Sequence, residues 1–312
     1  MALCGNVCTK VALHVKQRSG TESKHRSPKK TKALHISCAA ATDELRISRV
    51  FTDLKAKKQC AFVPFICAGD PDLDTTAAAL RALDTAGADV IELGIPYSDP
   101  LADGPTIQAA ATRALKNDVR VETVLDFVTE ITPTLSAPLV LFTYINPILR
   151  MGFEPFVEKV AASGVAGLLV PDIPLEETVI LQELTKKAGI ELVLLSTPTT
   201  PDARMRSIVD KTSGFLYLVS VTGVTGMKST VESRVEALLG GIRAYNSDIP
   251  VAVGFGVSNG EQAAQLEEWG ADGVIVGSAL VRALGEAATP EEGLASMTAL
   301  AEELRAALPC RD

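Results

Sequence analysis

Val90-Ile-Glu-Leu-Gly-Ile-Pro-Tyr-Ser-Asp-Pro-Leu-Ala-Asp-Gly-Pro-Thr-Ile107 joins an apolar strand to a polar loop. With Asp89 ahead of it, the start of the segment is a short, branched apolar run suited to a buried strand. From Gly94 to Pro105 the glycine and proline density excludes a helix and dictates a turn. Glu92 falls inside the strand, where an ionised carboxylate is costly and its pKa is expected to rise. Asp103 lies on the loop, able to reach the same space from above. Two carboxylates in unlike surroundings are a recurring way to divide acid and base roles. Blander readings stand beside these: Glu92 as a structural carboxylate paired with an amide or hydroxyl, Asp103 as the cap of a helix beginning near Ile107, Asp99 as an ordinary turn residue.

Outward from this stretch the chain alternates. Short apolar runs recur at Ala61–Ile66, Asp89–Leu93, Leu139–Phe142, Gly167–Val170, Glu191–Leu195, Phe215–Val219, Pro250–Val253 and Gly273–Val276. Between them lie amphipathic stretches at Thr75–Ala86, Glu154–Ser163, Glu176–Lys187, Arg204–Lys211, Val231–Ala244, Glu261–Trp269 and Glu291–Leu308, and Glu44–Lys58 ahead of the first run has helical spacing. Eight strands alternating with helices predict a single α/β domain, a (β/α)₈ TIM barrel with an N-terminal capping helix. A doubly wound open sheet is the competing architecture, but no G-x-G-x-x-G follows the first run.

Of 312 residues, 47% are apolar and few are aromatic, which suits a helix-wrapped parallel sheet, and no apolar run reaches the ~20 residues of a membrane helix. Residues 1–41 differ from the rest: eight Lys/Arg against the single acid Glu22 give +7, which leaves −15 for 42–312 out of −8 for the whole chain. This basic, hydroxylated, acid-poor leader without a continuous apolar core reads as a cleavable plastid transit peptide ahead of a catalytic domain at 42–312, or else as a basic arm for nucleic acid. The acidic remainder disfavours nucleic acid as a partner. All three histidines (His14, His25, His35) lie in the leader, so the domain has none for a triad, a metal site or a general base. Cys60, Cys67 and Cys310 beyond it show no metal or disulfide spacing.

In a barrel the chemistry sits at the C-terminal strand ends. Those ends carry Phe65 and Asp70, Glu92, Tyr144–Asn146, Asp172, Thr197, Thr222–Thr225, Phe255-Gly256 and Gly277-Ser278, but no lysine for a Schiff base. The last three loops are glycine-rich, and backbone N–H groups at such turns and helix starts favour an oxyanion, so a phosphorylated substrate is expected. Tight turns alone are the other reading. The loop Thr222–Thr230 is polar and long enough to be a lid, or simply a surface loop.

ELGIPYSDPLADGPTIQ, PFICAGDPD, LVSVTGVTG, AVGFGVS and GADGVIVGSALV, in this order, closely resemble the tryptophan synthase alpha chain over about Ala61 to Leu284, and with the leader a plastid member. The resemblance implies retro-aldol cleavage of indole-3-glycerol phosphate to indole and glyceraldehyde 3-phosphate in the plastid stroma, without cofactor. It also implies roles. Glu92 matches the catalytic glutamate and Asp103 the aspartate that receives the indole N–H. Phe65, Tyr217 and Phe255 match the pocket lining, Thr225 a lid residue, and Gly226, Gly256, Gly277 and Ser278 the phosphate positions. Pro96, Tyr97, Asp99 and Asn146 match the face that meets a pyridoxal-phosphate-dependent beta chain in an αββα assembly. Close plant relatives release free indole as standalone lyases; the intact SDPLADGP and TYINP segments favour the partnered form. A non-catalytic activator of the beta chain and a phosphosugar isomerase are further alternatives. Cys67 replaces a frequent threonine, and Val221 an arginine common in bacterial members, which puts bacterial-style lid closure in doubt.

Overall fold

The computed structural model describes residues 46–219, 228–254 and 256–308, with the side chains of 228–234 excepted. The described residues belong to one compact unit spanning Cys38–Asp312. Eight parallel strands, β1 (Ala61–Cys67), β2 (Ile91–Gly94), β3 (Leu139–Phe142), β4 (Gly167–Leu169), β5 (Glu191–Ser196), β6 (Leu216–Val219), β7 (Val251–Gly254) and β8 (Gly273–Val276), pair in sequence order, and β8 returns to β1 to close the barrel. Each strand begins and ends within two residues of the run predicted for it. The sequence reading does not single out the helices Val121–Ile131 and Ile145–Met151. The second carries Pro147 in its first turn, where the missing N–H has no partner to lose, and it sits where only a strand-end loop is expected.

Period-two alternation sorts the strands into an outer face against the helices and an inner face toward the lumen. Phe62, Ile66, Ile91, Leu93, Leu139 and Leu141 pack outward among the helices. Ala61, Val63, Val90, Val140, Val193, Phe215, Ala252 and Ile275 fill the lower lumen. One end of that filling comes from outside the sheet. The helix Ile47–Ala56 buries Ile47, Phe51 and Leu54 against the starts of the strands, where Phe51 meets Gly273 and lies 5.3 Å from Phe215, its ring tilted by 39°. The Ser48 N–H at its first turn donates to the buried Glu191 carboxylate at 3.2 Å, so β5 caps a helix that lacks a side-chain cap of its own. This is the predicted capping helix. It plugs the N-terminal end and leaves only the C-terminal end open for chemistry.

Phe51→Ala is expected to lower stability by about 3–5 kcal/mol, because it empties the plug where the barrel cannot collapse around the gap. A urea titration that left the midpoint unmoved would show that the helix is not part of the barrel's core.

Candidate active site

Above the filled layers the lumen changes character. On β2 the inward positions are Val90, Glu92 and Gly94, and Glu92 stands in register with Phe65 of β1 and Val140 of β3. Glu92 is only 1% exposed, and its Oε1 has no hydrogen-bond partner among the described residues. Burial alone pushes its carboxyl from 4.5 up to about 8, so the group keeps its proton at neutral pH. For Oε1, the reading of Glu92 as a carboxylate satisfied by an amide or hydroxyl finds no such partner among the described residues.

Asp103 occupies the loop above. The following helix, Pro105–Lys116, is capped by Gly104 with no side-chain bond, so Asp103 is not its cap. Instead the Tyr144 hydroxyl donates to Asp103 Oδ2 at 2.9 Å while accepting from the Ala102 N–H at 3.1 Å. Burial lifts the Asp103 carboxyl to about 6, and the Tyr144 bond opposes the rise. Two carboxyls thus sit on either side of neutrality, one protonated and one ionised. Tyr217, an inward residue of β6, lies in the field of both: burial first, then Glu92 and Asp103, hold its hydroxyl well above the ordinary phenol range. Its hydroxyl lies where a Cβ on Gly254 would come within 2.6 Å, so only glycine at the end of β7 leaves room for it.

The wall between the carboxyls is aromatic. Phe65 meets Phe142 edge-on at 5.6 Å, Phe142 meets Tyr144 at 6.1 Å, and Tyr144 stacks on Tyr97 at 5.1 Å. Tyr144, named among the strand-end candidates, anchors the Asp103 loop, whereas the lining residue Phe142 is absent from them, though the alternation Val140, Phe142, Tyr144 carries the signal. On the outer side Asn146 donates to the Tyr97 hydroxyl at 2.8 Å, so the exposed rim connects to Asp103 through the stacked rings. Pro96 is buried beneath this rim, and Asp99 is exposed on it, accepting from the Ser98 hydroxyl at 2.8 Å.

Gly277 lies 3.5 Å from Phe65, measured from an added Cβ, and Ser278 begins the helix Ser278–Gly285. Gly256 adopts a φ of 87°, a left-handed conformation suited to glycine. Thr225, Gly226, Phe255 and Val221 lie outside the described residues. Other strand-end candidates have structural work. Asp172 accepts from the Ile145 N–H at 2.8 Å, at the start of the helix that follows β3, and Thr197 closes a turn with Thr199 and Thr200. Among the described residues, no three His, Cys, Asp or Glu gather as a metal site would require, and no helix is long and apolar enough to cross a membrane.

Comparison with known proteins agrees with this geometry. A family model described as tryptophan synthase alpha chain matches residues 51–309. The tryptophan synthase alpha chain of Rippkaea orientalis is 55% identical over 262 residues, covering 84% of this chain and 97% of the relative. The Arabidopsis thaliana alpha chain is 53% identical over 262 residues, covering 84% and 95%. Among solved structures, the alpha subunit from Legionella pneumophila superposes with a TM-score of 0.77 at 36% identity, covering 84% and 97%. A chain of tryptophan synthase from M. tuberculosis does so at 0.75 and 37%, covering 85% and 99%.

The Glu92 proton carries a stability signature. Its folded-state pKa is raised, so the stability it contributes is full below about 4.5 and is lost as pH rises through about 8. Glu92→Gln mimics the protonated acid at every pH. Relative to the native chain, the variant is therefore expected to gain a few kcal/mol between pH 5 and pH 9. Parallel unfolding curves at the two pH values that differed by a constant amount would contradict a buried neutral Glu92.

Proposed function

The chain belongs to the tryptophan synthase alpha chain family, and on that footing we propose that Glu92 and Asp103 carry its lyase reaction. Members of the family cleave indole-3-glycerol phosphate to indole and glyceraldehyde 3-phosphate. The observation that supports the residue assignment is the buried Glu92 carboxyl, whose Oε1 has no partner among the described residues, beneath an ionised Asp103.

The chemistry follows from those two states. Protonated Glu92 donates to the ring carbon that bears the glycerol chain, which turns the indole into an electron sink. The Asp103 carboxylate accepts the indole N–H and stabilises the positive charge that develops there. Glu92, now ionised, takes the proton of the adjacent side-chain hydroxyl. The carbon–carbon bond breaks, its electron pair restores the aromatic ring, and the aldehyde leaves with Glu92 again protonated. No electrons enter or leave, so the step needs no redox or carbonyl cofactor. Phe65, Tyr217 and Phe255 form the indole-facing wall. The N–H groups of Gly226, Gly256, Gly277 and Ser278 hold the phosphate, the last at a helix start that favours negative charge.

The same reading extends to assembly and address. Tyr97, Asp99 and Asn146, over the buried Pro96, form the rim that docks a beta chain in an αββα assembly, with pyridoxal phosphate held only by that partner. Leu101 at 92% exposure and Leu149 at 52% support it, since both stand apolar and open beside this rim. Residues 1–41 form a plastid leader, supported by their +7 charge and by the Arabidopsis relative.

Two outcomes test the function. Cleavage of indole-3-glycerol phosphate, followed as indole release, is expected to rise by an order of magnitude or more when a beta chain is added; fast release that ignores the partner would make the chain a standalone lyase. The pH profile of kcat/KM is expected to be bell-shaped, with limbs near 6 and near 8. Asp103→Asn should remove the acid limb and Glu92→Gln should cut turnover by about 10²–10⁴-fold; full activity of either variant would remove that residue from the mechanism.

A further inference from the structure

Asp70 follows β1 on the loop Ala68–Asp70, is 2% exposed, and has no place in the chemistry above. It receives both arms of one guanidinium: Arg113 Nε at 2.6 Å and Nη2 at 2.8 Å. Arg113 stands on the Pro105–Lys116 helix, whose start follows Asp103 by two residues. A third element closes on the pair. Gly285 ends the helix that begins at Ser278, and a Cβ there would lie 2.5 Å from Arg113 Nη2 and 2.6 Å from Asp70 Oδ2. The ion pair therefore sits where the β1 loop, the helix behind Asp103 and the helix at the phosphate positions converge.

What else holds the helix behind Asp103 is smooth. Its buried residues are Ile107, Ala110, Ala111 and Ala114, the first three resting on Phe65, Cys67 and Val281. Alanines allow close approach but make few interlocking contacts, so this interface resists separation better than sliding. A planar, two-bond fork fixes direction as well as distance. Nearer the site, Arg282 Nη2 reaches the Thr106 hydroxyl at 3.2 Å, and Gln108 donates to the Asp103 carbonyl at 2.8 Å. These short ties join Asp103 to its own helix and that helix to the phosphate side, while the half-buried pair sets the register of the whole.

We propose that Asp70 and Arg113 are positioning residues for the lyase reaction: their clasp, seated on Gly285, fixes Asp103 relative to the phosphate helix and to Glu92. The inference rests on the assignment of Asp103 above. It separates two properties that a merely structural pair would lose together. Phosphate affinity depends on the Ser278 helix, which is also held by the helix Pro290–Ala306 and by β1, whereas the reach of Asp103 to the indole N–H depends on where its helix sits. Misplacement of a reacting group by about 1 Å costs up to about a hundredfold in rate.

The experiment compares the full chain with Arg113→Lys, which keeps the charge but loses the fork, and Gly285→Ala, which keeps both charges and crowds them apart. Should Arg113→Lys fail to fold, the double variant Asp70→Asn with Arg113→Gln leaves no lone buried charge and takes its place. The clasp predicts a fall in kcat of about 10–100-fold in the folded variants, with the Kd for inorganic phosphate, read by calorimetry, kept within about twofold. Folded variants that cleave indole-3-glycerol phosphate at the native kcat would overturn it, as would a loss of phosphate affinity that matched the loss of kcat. A native chain without cleavage would instead sink the lyase assignment itself, and the clasp with it.

Discussion

Closure of the sheet is the constraint on which everything else depends. Because β8 pairs with β1, no strand edge is left, and the lumen must be filled by side chains drawn from eight strands at fixed register. Below, valines, alanines and the Ile47–Ala56 helix supply that filling. Above, glycine at the ends of β2 and β7 and just past β8 leaves room, and the room is taken by Phe65, Glu92, Phe142 and Tyr217. A packed floor and an open mouth follow from the same arithmetic of side-chain volume.

The carboxyls illustrate how a rigid lumen does chemical work. In water two such groups would both be ionised at neutral pH. Here β2 carries one into a buried layer with no donor for Oε1 among the described residues, and the loop that follows keeps the other near a tyrosine hydroxyl. A few ångströms of depth thus separate their proton affinities, and no metal or distant charge is needed. The cost of burying Glu92 is borne by the barrel, whose register leaves that position no alternative side to face.

Much of this was legible in the residues. The apolar run around Glu92 already marked it as a carboxylate inside a buried strand, and the spacing of apolar runs gave the eight strands. What local pattern cannot carry is a contact between residues far apart in the chain. Asp103 meets Tyr144 across 41 positions and Asp70 meets Arg113 across 43, and neither partner advertises itself beside the residue it serves. For the same reason Asp103 looked equally suited to capping the next helix, an ambiguity that ends only when Gly104 is seen in the capping position. Phe142 was readable by period two and was simply hidden inside a run that looked uniformly apolar. The helix Ile145–Met151 was obscured by its proline, which local statistics assign to turns.

The absence of histidine from residues 42–312 acquires a meaning beside the two displaced carboxyls. Imidazoles ordinarily dominate proton exchange around neutrality and mask whatever else titrates there. In this domain that background is missing, and burial moves the Cys60 and Cys67 thiols upward, out of the neutral range. Proton uptake near pH 7 is then a carboxylic-acid signal, visible as an infrared carbonyl band or as a carbon resonance, without labels or substitutions. The barrel is in effect a transparent vessel in which the protonation state of its own active site can be watched directly.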